Sequence, residues 1–167
     1  MKYICLIFFL TTIFNFSSEA QNLPVEPELQ FVKIHFKYFF KDELNTFENT
    51  CTKDLVMNGV IKTDFWLTSK EQKDILKMAK KIKFFSMPDT FKYVPKNNIG
   101  ISYSLDLGPQ TLRIKYKSKD KTVVWTYPTT EGDVRAQKLI ELSKFIRKII
   151  EAKPEYKKLP HPRGGYI

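Results

Sequence analysis

Between Phe65 and Pro88 the chain spells out a strand end, a capped helix and an aromatic stop. Phe65-Trp66-Leu67 closes an apolar run. Thr68 and Glu71 have capping-box spacing: the threonine oxygen accepts from a free helix N–H, and the glutamate accepts from the N–H of Thr68. Ile75, Met78, Ala79 and Ile82 follow at helical spacing, with lysines opposite. Phe84-Phe85-Ser86-Met87-Pro88 should end the helix, since proline cannot continue one. A helix with one apolar side needs a surface to cover. The remaining chain must supply it.

Leu29 to Phe40 reads as a strand. Val32, Ile34, Phe36 and Tyr38 fall on one side, and Lys33, His35 and Lys37 on the other. Lys41 to Asn49 is polar and reads as a loop. Asn58-Gly59 then stands between two extended runs and predicts a two-residue type I′ hairpin, because both turn positions need positive φ. That register sets Met57 opposite Val60, Val56 opposite Ile61, Lys53 opposite Asp64 and Cys51 opposite Trp66. Val56, Ile61, Phe65 and Leu67 would then face the core.

After the helix, Asp89 to Asn98 reads as a loop containing Pro95. Ile101, Tyr103, Leu105 and Leu107 alternate with polar residues up to Gly108-Pro109, the mark of another strand. Thr111 to Lys117 and Thr122 to Tyr127 make a second hairpin about Lys119-Asp120. It would pair Tyr116 with Val123, Ile114 with Trp125, and Leu112 with Tyr127, all on one side. Thr130 can cap a second helix with Glu131 and Asp133 at its start. Leu139, Leu142, Phe145, Ile146, Ile149 and Ile150 form its stripe, Lys148 and Lys153 suit its negative end, and Pro154 stops it. The fold class is therefore α+β: a single antiparallel sheet of about six strands in βββαβββα order, with two helices on one face.

The N-terminus reads as an address. Lys2 precedes a short apolar core, Ile4 to Phe14, and Ser18-Glu19-Ala20 places small residues at a cleavage site, so cleavage is expected after Ala20. The apolar run is too short for a comfortable membrane span, and no later run supplies one. The expected organisation is a signal peptide over 1–20, an extended leader over 21–28, the α+β domain over 29–153 and a Pro/Gly-containing tail over 154–167. The exported chain would be periplasmic or secreted. It keeps one cysteine, Cys51, which has no internal disulfide partner.

The 167 residues are 43% hydrophobic, enough for one domain with a real core, and carry a formal charge of +10. Nearly all the cations are lysines, which attract anions loosely, whereas arginine supports bidentate phosphate recognition. Arg113, Lys115 and Lys117 should line the reverse side of the second hairpin, with Lys119 and Lys121 near its tip. Lys73, Lys77 and Lys80 follow one side of the first helix. Such a surface suits an anionic envelope polymer or an envelope protein. Nucleic acid ranks last, because export removes the chain from the chromosome and the aromatics alternate into the core.

Signals for chemistry are sparse. His35 and His161 do not share a metal-ligand spacing with paired cysteines, and no phosphate-binding glycine loop occurs among the 6 glycines. No cofactor is implied. Ser118-x-x-Lys121 has the spacing of penicillin-recognising serine enzymes but sits at a hairpin tip, where that chemistry has no helix start to use. One enzymatic alternative is open: if the first strand lies beside the first hairpin, His35 could activate Cys51, with Asp54 or Asp64 nearby. A third alternative is an accessory subunit docked through the tail, whose Leu159, Tyr166 and Ile167 could join a sheet edge.

The segment Phe84-Phe85-Ser86-Met87-Pro88-Asp89 after a lysine-rich helix, followed by Thr111-Leu112-Arg113-Ile114 and the return Lys121-Thr122-Val123-Val124, resembles a family of small exported bacterial domains. The likeness spans roughly Leu55 to Ala152. That family has no established activity, so the resemblance implies an exported α+β domain and supplies no functional residue. The expectation is a non-enzymatic envelope-binding or interaction module with a basic face.

Overall fold

The computed structural model describes residues 32–91, 108–126 and 133–166. The expected signal peptide and leader, the strand over Ile101 to Leu107, and Tyr127, Thr130 and Glu131 lie outside them.

The first four strands are β1 (Lys33–Tyr38), β2 (Asp42–Asn45), β3 (Thr50–Asp54) and β4 (Val60–Asp64). Helix α1 (Ser69–Lys81) follows, then a 3-10 turn over Phe84–Ser86 and the short strand β5 (Thr90–Phe91). Strands β6 (Gln110–Tyr116) and β7 (Lys119–Trp125) precede α2 (Val134–Ala152) and the one-turn helix α3 (Pro154–Lys157). Among the described residues the strands form one seven-stranded sheet, ordered β4-β3-β2-β1-β6-β7-β5. The class is α+β, as the sequence implied, but the sheet is mixed: β5 runs parallel to β7, and every other pair is antiparallel.

One side of the sheet is apolar. Ile34, Phe36, Leu44, Cys51, Leu112, Ile114, Val123 and Trp125 are buried there. Helices α1 and α2 cover them with Ile75, Ala79, Leu139, Leu142, Ile146 and Ile150. The capping box at Thr68 and Glu71 is present in both directions. Helix α1 stops before Pro88 is reached, because Lys83 takes a left-handed conformation (φ 57°) and turns the chain. At the other end Lys153, closing α2, pairs with Glu71, opening α1, at 2.8 Å. The two helices therefore run antiparallel.

Several sequence expectations need correction. The segment from Lys41 to Asn49 is not all loop: β2 lies within it, with Leu44 completely buried opposite Phe36 and Cys51. One inward apolar residue in four gives too little alternation to mark a strand. In the first hairpin the connection is five residues, Leu55 to Gly59, closed by Leu55 N–H on Gly59 O at 2.8 Å. Lys53 faces Ile61 and Cys51 faces Thr63, where the two-residue turn required Asp64 and Trp66. The Asp54 carboxylate starts the wider turn by accepting from Val56 N–H at 2.9 Å. This three-residue slip turns Cys51 and Lys53 to the core side, since an odd shift exchanges faces.

The second hairpin also slips, but by four. Its turn is Lys117-Ser118, and Leu112 faces Val123 while Tyr116 faces Lys119. An even slip preserves faces, so Leu112, Ile114, Tyr116, Val123 and Trp125 are buried together as expected. Asp133, not Thr130, caps α2, its carboxylate accepting from Arg135 N–H at 2.8 Å. Hydrogen bonds from the Arg135 guanidinium, helped by that backbone contact, pull the Asp133 carboxyl down to about 2. Pro154 does stop α2, yet it also opens α3, because its fixed φ suits a first helical position. The tail is thus not wholly extended.

Candidate functional site

The expected cationic patch does not form as one surface. Strand register puts Arg113 and Lys115 on the open side of the sheet. Lys119 and Lys121 share the side that bears the helices, along with Val123 and Trp125. Arg113 makes two hydrogen bonds to Asp120, at 2.8 and 2.7 Å, and its guanidinium lies 4.8 Å from the Phe47 ring centre. This bidentate contact holds the Asp120 carboxyl below its ordinary range. Lys115 stands directly across from the same Asp120. Lys121 is ion-paired with Asp89. Lys117 and Lys119 lie over the rings of Tyr116 and Phe85, at 5.3 and 5.7 Å. The rest of the open side alternates in sign, with Lys33, Lys37 and Lys62 set among Glu43, Asp64 and Asp120.

His35 and Cys51 are on opposite sides of the sheet. His35 points to the open side and meets Glu43. Cys51 is fully buried on the helix side, and burial, reinforced by the Asp42 charge, pushes its thiol up to about 12. Asp64 shares the open side with His35, across from Thr50. The two strands between which a Cys-His pair was to form do not even touch, since β2 lies between β1 and β3. The pairing that would activate a thiolate is closed.

Around Cys51 the structure assembles a polar cluster that the expected register had dispersed. Tyr38, Asp42 and Lys53 occupy the helix side at one end of β1, β2 and β3. Lys53 is 7% exposed and stacks its ammonium 4.7 Å from the Tyr156 ring centre. Burial pushes the Asp42 carboxyl up to about 6, although Asp54 N–H donates to it at 2.7 Å. Burial also raises the Tyr38 and Tyr156 hydroxyls. The C-terminal segment closes over this end. Tyr166 donates to the Asp54 carboxylate and stacks on Phe40 with ring centres 3.7 Å apart. Arg163 exchanges backbone hydrogen bonds with Leu55 and Met57, both at 3.3 Å, beside a parallel bridge to Val56. The tail therefore pairs within its own chain, against the turn of the first hairpin and not against the edge of the sheet. His161 is exposed beside it.

Positive charge instead concentrates on the helical layer. Helix α1 carries Lys70, Lys73, Lys77, Lys80 and Lys81 against Glu71 and Asp74. Helix α2 carries Arg135, Lys138, Lys144, Arg147 and Lys148 against Glu141 and Glu151. Between the two helices runs a groove of about 560 Å³. Met78, Ile82 and Phe145 give it an apolar floor, and Lys77, Lys81 and Lys138 stand on its rim, with Asp74 and Glu141 among them. Asp74 is taken up by Lys70 at 2.9 Å. Met78 and Phe145 belong to the stripes read from the sequence, but they lie at the stripe edges and are only partly covered. A stripe wider than the helix–helix contact is the signal that could have located the groove.

Among the described residues no helix is long and apolar enough to cross a membrane, and no group of three His, Cys, Asp or Glu could hold a metal ion. Compared with known proteins, the chain matches no family model and no curated protein.

Proposed function

We propose that this chain is a non-enzymatic interaction module exported to the cell envelope, where its basic helical layer meets an anionic polymer or protein. The observation that carries the reading is the segregation of charge. Cations on the open side of the sheet are balanced by neighbouring carboxylates, while α1 and α2 present an excess of lysine and arginine. A face of one sign concentrates anionic partners and speeds their encounter. The first proposal of the sequence, binding through Arg113, Lys115, Lys117, Lys119 and Lys121, moves accordingly to the helices. The signal-like N-terminus supports export, and the resemblance to small exported bacterial domains agrees with it.

The test is a pull-down from solubilised envelope with three baits: the chain from Gln21, a Lys144→Glu/Lys148→Glu variant, and an Arg113→Glu/Lys115→Glu/Lys117→Glu variant. A partner captured by the first and third baits, lost with the second and weakened by added salt, supports the helical layer. A partner lost only with the third bait would return the site to the sheet. Capture unaffected by either reversal or by salt would remove the electrostatic reading.

A further inference from the structure

We propose that the groove between α1 and α2 receives a single-chain fatty acid, its hydrocarbon tail on Met78, Ile82 and Phe145 and its carboxylate between Lys81 and Lys138. This goes beyond the reading above and shares with it only the basic helical layer. Three observations carry it. First, the groove is of the volume that encloses small ligands, between roughly 300 and 1,000 Å³. Second, its chemistry is divided in the way an amphiphile is divided. The floor is apolar, and methionine adapts to flexible chains. The rim carries three lysines, Lys77, Lys81 and Lys138, against two carboxylates, Asp74 and Glu141, and a lysine stem lies along apolar surface while its ammonium reaches out.

Third, the helices run antiparallel, so the C-terminal end of α1, with Lys81, lies by the N-terminal half of α2, with Lys138. The two lysines therefore stand at one end of the groove. Asp74 lines the groove about two turns before Lys81 on α1, and its charge is satisfied by Lys70. From Asp74 to Ile82 the groove runs about 12 Å along α1, at 1.5 Å per residue. That suits a medium-length chain. A partner helix is disfavoured, since its anchors at i, i+3, i+4 and i+7 need an extended apolar groove and this one has three apolar side chains, Met78, Ile82 and Phe145. Glu141 opposes the carboxylate and should keep the affinity modest.

The experiment is calorimetric titration of the chain from Gln21 with decanoate below its micelle concentration, beside decanol and anionic phospholipid vesicles. The expected result is saturable 1:1 binding of decanoate, weakened at least 5-fold by Lys81→Glu/Lys138→Glu. Phe145→Ser should weaken decanoate and decanol alike, and circular dichroism checks that each variant is folded. Absence of saturable decanoate binding by the unmodified chain overturns the proposal, as does binding indifferent to both the lysine and the Phe145 changes. Binding to anionic vesicles alone, lost on lysine reversal, would also overturn it while leaving the anionic-partner reading standing.

Discussion

Asp42 shows what burial does to one carboxyl. Its Oδ1 accepts from Asp54 N–H at 2.7 Å, and still its carboxyl rises from 3.8 to about 6, because loss of water and the neighbouring Asp54 charge disfavour the ionised form. A carboxyl held above its unfolded value binds its proton more tightly when folded. Its contribution to stability is full below about pH 4 and is lost as pH rises through 6. Asp42→Asn keeps an acceptor for Asp54 N–H and cannot ionise. Relative to the unmodified chain it should be unchanged at pH 4 and more stable at pH 7.5 by about 1–2 kcal/mol, less than the full shift because the site is partly solvated. Urea unfolding at the two pH values measures this, and a difference independent of pH would refute it. Cys51 gives a second expectation at this scale. With no exposed surface and a thiol pushed up to about 12, it should resist iodoacetamide at pH 7.5 in the folded chain and react at the ordinary rate in urea. Intact-mass spectrometry over time separates the two, and fast labelling of the folded chain would contradict the burial.

Glu71 joins two elements. Burial works to raise its carboxyl, but hydrogen bonds from Lys153 and Thr68 outweigh that and lower it. Replacing it with alanine removes half of the capping box of α1 and the tie to the end of α2. The expected loss is about 1–2 kcal/mol. In a double-mutant cycle with Lys153→Ala, coupling of about 0.5–1 kcal/mol should appear, since both side chains are mostly buried; coupling near zero would mean that only the cap matters. How much was legible follows element by element. The helix stripes and the cap of α1 read true because both are local, down to Thr68 and Ile75, whereas Asp133 starts α2 and Lys83 ends α1, not Thr130 and Pro88 as their residue types had suggested. The hairpins were legible as hairpins, but register depends on turns that no local pattern fixed. Asn58-Gly59 lay in the turn, yet the Asp54 carboxylate and the left-handed Val56 (φ 60°) widened it. The odd slip hid the cluster of Cys51, Lys53 and Asp42, while the even slip of the second hairpin cost nothing in face assignment. The candidate groove was half legible: Met78, Ile82 and Phe145 were named as apolar, but which of them the partner helix leaves uncovered is a tertiary fact.

At the scale of the whole molecule, net charge was plain in the composition and its location was not. The tail likewise drew only the suggestion of an edge to pair with, because Arg163 and Tyr166 meet residues more than a hundred positions away. Those contacts predict that the tail stabilises the domain in cis. Truncation after Lys158 removes the backbone pairing of Arg163, the hydrogen bond from Tyr166 to Asp54 and the stacking on Phe40. Set against the entropy of an ordered tail, these should be worth about 1–3 kcal/mol. Gly164→Ala tests the same contact without deletion. Gly164 sits at φ 83°, and a methyl there would come within 2.9 Å of the Met57 side chain. It should lower stability by about 1 kcal/mol, less than truncation, because an exposed methionine can move aside. Hydrogen exchange locates the effect. The Met57 amide, bonded to Arg163 O, should exchange faster in both variants, while Ile34 and Ile114 in the central strands change only as far as global stability does. Unaltered exchange at Met57 after truncation would show that the tail does not hold the hairpin, and the C-terminal residues would then be free to meet a partner instead.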